Sequence, residues 1–164
     1  MHHSPAGPAR AIVAALACVP LALSLAGCTR TVALEPAADA IEVGCADIVV
    51  RLPDEVSGHE QRPTDAQGTG AWGDPAAVLL RCGVEPPGPT TLECVDVNGV
   101  DWIIDETDAP NYVFTTYGRV PATEVIVDSD LASGTTALAD LALAVSSVPA
   151  DGGCLGAEEL LEEE

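Results

Sequence analysis

Cys94-Val95-Asp96-Val97-Asn98-Gly99-Val100-Asp101-Trp102-Ile103-Ile104 is the stretch on which the fold class turns. Two runs rich in β-branched and aromatic residues flank Asn98-Gly99. That dipeptide suits a two-residue type I′ turn, because both central positions require φ > 0. The stretch therefore predicts a hairpin with strands over 94–97 and 100–104. Downstream, 112–117 and 122–127 carry the same composition around Gly118-Arg119-Val120-Pro121 and predict a second strand pair. Upstream, Pro75 precedes the apolar run 76–82, which has strand length and ends at Gly83, before the rigid Pro86-Pro87-Gly88-Pro89 loop.

Helical spacing shows only toward the two ends. Cys45, Ile48, Val49 and Leu52 recur at i, i+3, i+4, i+7 and predict a short helix stopped by Pro53, against the strand pull of Ile48-Val49-Val50. Leu131, Leu138, Leu141, Ala142 and Val145 predict an amphipathic helix over about 135–147, closed by Pro149 and Gly152-Gly153. Residues 54–73 read as loop, with one edge strand around 59–64. The expected fold is α+β: an antiparallel sheet of about five strands, with the N-terminal and C-terminal helices packed on one face.

The N-terminus has a different character. Arg10 supplies a positive n-region, and residues 12–26 form an almost unbroken apolar run, too short for a spanning helix. It ends in Leu25-Ala26-Gly27-Cys28, which resembles the lipobox of bacterial lipoprotein precursors. The reading is a signal peptide over 1–27, cleaved before Cys28, whose thiol carries diacylglycerol, the acylated Cys carrying several chains such as palmitate. The partner is then the lipid bilayer, and the location the cell membrane, facing the extracytoplasmic side. An uncleaved anchor is the alternative. Residues 28–40 read as a tether, 41–156 as the folded domain and 157–164 as an acidic tail.

The formal net charge is −20, and no Lys occurs. Such a charge excludes nucleic acid as partner, since phosphates would be repelled, and excludes charge-driven docking on anionic lipid. Solubility accounts for it. With Cys18 lost and Cys28 acylated, Cys45, Cys82, Cys94 and Cys154 remain as an even set in an oxidising compartment, hence two disulfides. Three connectivities are open. The preferred one pairs Cys82 with Cys94 across consecutive strands and Cys45 with Cys154 across the domain. No C-x-x-C occurs and His59 is the only His beyond the signal, so the cysteines do not make a zinc site.

Trp72-Gly73-Asp74-Pro75, Leu80-Arg81-Cys82-Gly83-Val84, Val97-Asn98-Gly99-Val100-Asp101-Trp102 and Phe114-Thr115-Thr116-Tyr117-Gly118-Arg119 follow one another in this order. Together they resemble the DUF3515 family, small actinobacterial envelope proteins, often lipoproteins, without an assigned activity. The resemblance spans roughly residues 45–154. It implies location and fold and brings no catalytic residues.

Chemistry-bearing residues are few. Arg81 and Arg119 are scarce cations that could bind a carboxylate or phosphate from a common cleft; pairing with local carboxylates is the plainer reading. Asp96, Asp101, Asp105, Glu106 and Asp108 gather near the hairpin, but their spacing does not match a Ca²⁺ loop. No Gly-x-Ser-x-Gly elbow accompanies His59, and no phosphate-binding Gly loop occurs. Trp72 and Trp102 read as core residues. The expectation is a non-enzymatic binding or scaffolding lipoprotein without cofactor or metal, its partner an envelope protein or small molecule. A carboxylate-pair hydrolase and a Ca²⁺-dependent surface module are the alternatives.

Overall fold

The hairpin forms where the Asn-Gly turn requires it. Asn98 adopts φ +54° and Gly99 φ +81°, and Asp96 Oδ1 accepts the Gly99 N–H at 3.4 Å. The computed structural model describes residues 30–154. Residues 1–29, which include the expected signal peptide and Cys28, and residues 155–164, with the expected acidic tail, lie outside the described residues. In chain order the elements are α1 (Val43–Val49), β1 (Glu55–Val56), β2 (His59–Arg62), β3 (Thr69–Trp72), β4 (Val78–Val84), β5 (Cys94–Val97), β6 (Val100–Asp105), β7 (Asn111–Thr116), β8 (Ala122–Asp128) and α2 (Gly134–Val145).

The fold is α+β, with one antiparallel sheet of eight strands in the order β1-β2-β3-β4-β8-β7-β6-β5. Six strands fall where the sequence placed them, β2 at the expected edge strand included. The expected total of about five is too low because 54–73, read as mostly loop, also supplies β1 and β3. β1 has only two residues, and all four residues of β3 are buried, so neither shows an alternating pattern. After β4 the Pro-rich segment 85–93 carries the chain to the far edge. From there β5, β6, β7 and β8 meander back until β8 pairs with β4.

Register sorts the side chains onto two faces. Leu80 lies opposite Val125, Val125 opposite Phe114, and Phe114 opposite Ile104. With Trp72, Val78, Cys82, Trp102 and Val127 they form the covered face, over which α1 and α2 pack against each other. Ala137, Leu138, Leu141, Ala142, Ala144 and Val145 are the residues α2 buries. Both tryptophans are fully buried. Removing an indole of this size from water is worth at most about 4 to 6 kcal/mol. Trp72 Nε1 donates to Pro53 O at 3.0 Å, whereas among the described residues no acceptor bonds Trp102 Nε1. The reverse face carries Leu79, Val113 and Ile126, all half-buried, and neither helix.

The segment expected to be a free tether is laid against the sheet over residues 30–40. Val32 N–H donates to Pro63 O at 2.8 Å, and Asp39 N–H donates to Gly83 O at 3.0 Å. Gly83, at φ +91°, sits in the register shift between Cys82 and Val84. A Cβ there would lie 2.3 Å from the Asp39 carbonyl carbon, so glycine is what allows the chain this close.

Candidate functional site

A concavity opens between the ends of β6, β7 and β8 and the first turn of α2. Its geometry begins with Ser133, which caps α2 by accepting the Thr136 N–H at 3.4 Å. The loop before α2 is fixed from outside: Ser133 N–H donates to Ser57 Oγ at 3.1 Å, and His59 Nε2 donates to Leu131 O at 3.1 Å. His59 is thereby a brace between β2 and this loop.

The cleft encloses about 270 Å³. Ile104, Phe114 and Val127 form its floor, and Tyr112 stacks on Phe114 with centroids 6.5 Å apart and planes at 20°. Ser129, Ser133, Thr135 and Glu106 supply the polar rim. An apolar, aromatic floor with converging hydroxyls and one carboxylate is the composition of a small-molecule site. The sequence held one faint signal of it, the hydroxyl-rich run Ser129 to Thr136 ahead of an apolar helix. What the sequence did not show is that β6 and β7 bring Ile104, Glu106 and Tyr112 to the same place.

Arg81 and Arg119 do not share a cleft. Arg81 lies on the reverse face, where its Nε and Nη2 donate to Glu124 Oε1 at 2.9 and 2.7 Å. The register explains the pair, because Arg81 stands directly opposite Glu124. Arg119 is buried. Its Nη1 donates to Val148 O and its Nη2 to Gly99 O at 2.9 Å, tying the segment after α2 to the β5–β6 turn. Both guanidinia are thus engaged within the chain, one by a carboxylate and the other by two carbonyls.

The preferred cysteine pairing is also corrected. The disulfides are Cys45–Cys82 and Cys94–Cys154. Cys82 and Cys94 sit on β4 and β5, four strand spacings or about 19 Å apart along the sheet, and on opposite faces. A disulfide requires Cα atoms within roughly 7 Å. Cys45 on α1 and Cys154 lie on opposite faces too, which rules out the second bond of that pairing. Beside Cys94–Cys154 a second cleft of about 340 Å³ includes Leu92, Ile103 and Tyr117.

The acidic residues near the hairpin have separate employments. Asp96 supports the turn, and Asp101 Oδ2 accepts the Cys154 N–H at 3.2 Å, although the two face each other across the hairpin. Asp105 Oδ1 accepts from Thr107 Oγ1 at 2.7 Å and Thr107 N at 2.9 Å. Those bonds, the side-chain one first, hold its carboxyl below the ordinary aspartate range. Among the described residues, no group of three or more His, Cys, Asp or Glu is arranged to hold a metal ion. Nor is any described helix long and apolar enough to cross a membrane.

A family model described as "Protein of unknown function (DUF3515)" matches residues 8–152. No curated protein and no solved structure matches.

Proposed function

From the premise that the chain belongs to the DUF3515 family, proteins of unknown function, we propose that it is a non-catalytic binding module of the cell envelope. It is anchored at the extracytoplasmic side of the membrane through acylated Cys28, and it holds a small ligand in the cleft at the start of α2. The observation that carries the binding role is the pairing of the Tyr112–Phe114 stack with hydroxyls and Glu106 on one rim. A ring with one apolar face and several hydroxyls, such as a sugar unit, fits this chemistry. Its ring lies on Tyr112 and its hydroxyls reach Ser129, Ser133 and Glu106. A volume of about 270 Å³ is below the roughly 300 to 1,000 Å³ of drug-sized sites, so one ring enters rather than a chain. Glu106 and the net charge of −20 disfavour an anion.

Titration with methyl glycosides at millimolar concentration tests the binding role. Amide shifts are expected at residues 112–114 and 133–136, and Tyr112→Ala should abolish them while the rest of the spectrum is kept. Shifts that are absent, or equal in Tyr112→Ala, refute this ligand class. Intact mass of membrane-extracted protein, native and as Cys28→Ala, tests the anchor. A full-length unacylated mass would overturn it.

A further inference from the structure

The chain between the anchor and the domain has almost no slack. Arg62 Nη2 donates to the carbonyl oxygen of Arg30. Val32 forms a parallel bridge with Thr64, Leu34 N–H donates to Asp65 Oδ1 at 2.9 Å, and Ala40 is buried. From Arg30 to Ala40 the backbone is thus bonded to the β2 margin and to Gly83. Cys28 precedes Arg30 by two residues, and two residues of fully extended chain span at most about 7 Å. An acyl group on Cys28 is therefore tied to one side of the sheet.

We propose that the acylated protein lies with its β1–β2 margin flush on the headgroup layer of the bilayer, with the β5–β7 half pointing away. This inference rests on the lipid-anchor reading of Cys28. The occupant of the margin is lipid headgroup, delivered there by chain length and not by charge. Arg30 and Arg62 stand at this margin beside the acidic Glu55, Glu60, Asp65 and Asp74, so no net attraction to anionic lipid arises. Five strand spacings separate β2 from β6, or about 24 Å along the sheet. The β6 wall of the cleft thus stands away from the headgroups, while its Ser133 rim, bonded to Ser57 in the β1–β2 turn, lies near the margin.

The test uses full-length acylated protein in phosphatidylcholine vesicles that carry a headgroup spin-labelled lipid as quencher. A fluorophore is placed by Glu60→Cys on β2 or by Thr91→Cys ahead of β5, both exposed positions. Quenching several-fold stronger at position 60 than at 91 is expected. Inserting about 20 Gly and Ser residues between Thr29 and Arg30, a coil of about 25 Å end to end, should make the two equal. Equal quenching without the insert, or stronger quenching at 91, overturns the orientation while leaving the anchor intact. A mass showing unmodified Cys28, or protein that does not remain with the vesicles, overturns the anchor and this inference with it.

Discussion

The covered and reverse faces of the sheet each carry one disulfide and are bounded by one notable arginine, and the two sets behave differently. Cys45–Cys82 lies in the core, fully buried, and joins α1 to the central strand β4. Cys94–Cys154 is half-buried on the reverse face, and joins the edge strand β5 to the segment following α2. Their sequence separations are 37 and 60, for which the chain-entropy model gives about 4 kcal/mol in both cases. Loop length therefore does not distinguish them, and surroundings do. One bond is also a piece of the core, while the other is a clasp at a margin.

The sharpest way to break that comparison is to remove each bond. Cys45→Ala with Cys82→Ala should cost about 4 kcal/mol of chain constraint and a further ~1 to 2 kcal/mol for buried sulfur left as a cavity. Cys94→Ala with Cys154→Ala should cost about 2 to 4 kcal/mol, because the hydrogen bonds of Asp151, Cys154 and Arg119 still hold the strap. Urea unfolding of both double variants reads the difference. A larger loss for the second pair would mean that the reverse face, and not the helix layer, limits stability.

Mild reduction tests the same contrast by access. With limiting dithiothreitol under native conditions, alkylation and mass mapping should find modified Cys94 and Cys154 before Cys45 and Cys82, since exchange needs a thiolate to reach sulfur. Simultaneous modification would show that the covered face opens as easily as its reverse.

The arginines sharpen it further. Arg119→Met leaves the Val148 and Gly99 carbonyls without their charged donor and should cost about 3 kcal/mol. Arg81→Met removes a partly exposed pair with Glu124 and should cost at most about 1 kcal/mol. The smallest effect concerns Asp105. Its folded-state pKa lies below the ordinary value near 3.8. Its contribution is thus fully present above that value and lost as pH falls through the lower folded-state pKa. Thr107→Val should raise the Asp105 pKa toward the ordinary value in a carboxyl-detected NMR titration, without returning it fully, because the Thr107 N–H bond persists.

Legibility followed the range of the interactions. The β5–β6 turn was readable because φ > 0 at two adjacent residues is a demand that Asn98 and Gly99 satisfy by themselves. The α2 boundaries were readable within two residues from apolar spacing, Pro149 and the Gly152-Gly153 pair. β3 was not, because Thr69, Gly70, Ala71 and Trp72 are buried on both sides and show no period. The pinned 30–40 segment was not, because its bonds run largely through backbone atoms, which leave no mark on residue identity. Of the cleft, only its hydroxyl run was visible. Ile104, Phe114 and Val127 become one floor through the register of three strands.

Residue identity alone settled the Asn98-Gly99 hairpin, the strands from β4 onward, the two helices, the membership of four cysteines in disulfides and the mixed fold class, because sterics, turn chemistry and burial period act over a few neighbouring residues. Tertiary structure alone decided the strand order, hence the cysteine pairing, the fate of Arg81 and Arg119, and the place of the cleft. Returning β8 to the side of β4 separates β4 from β5 by three strands. That choice is set by the summed burial of both faces and by the entropy of closing long loops, quantities that no short window of sequence contains.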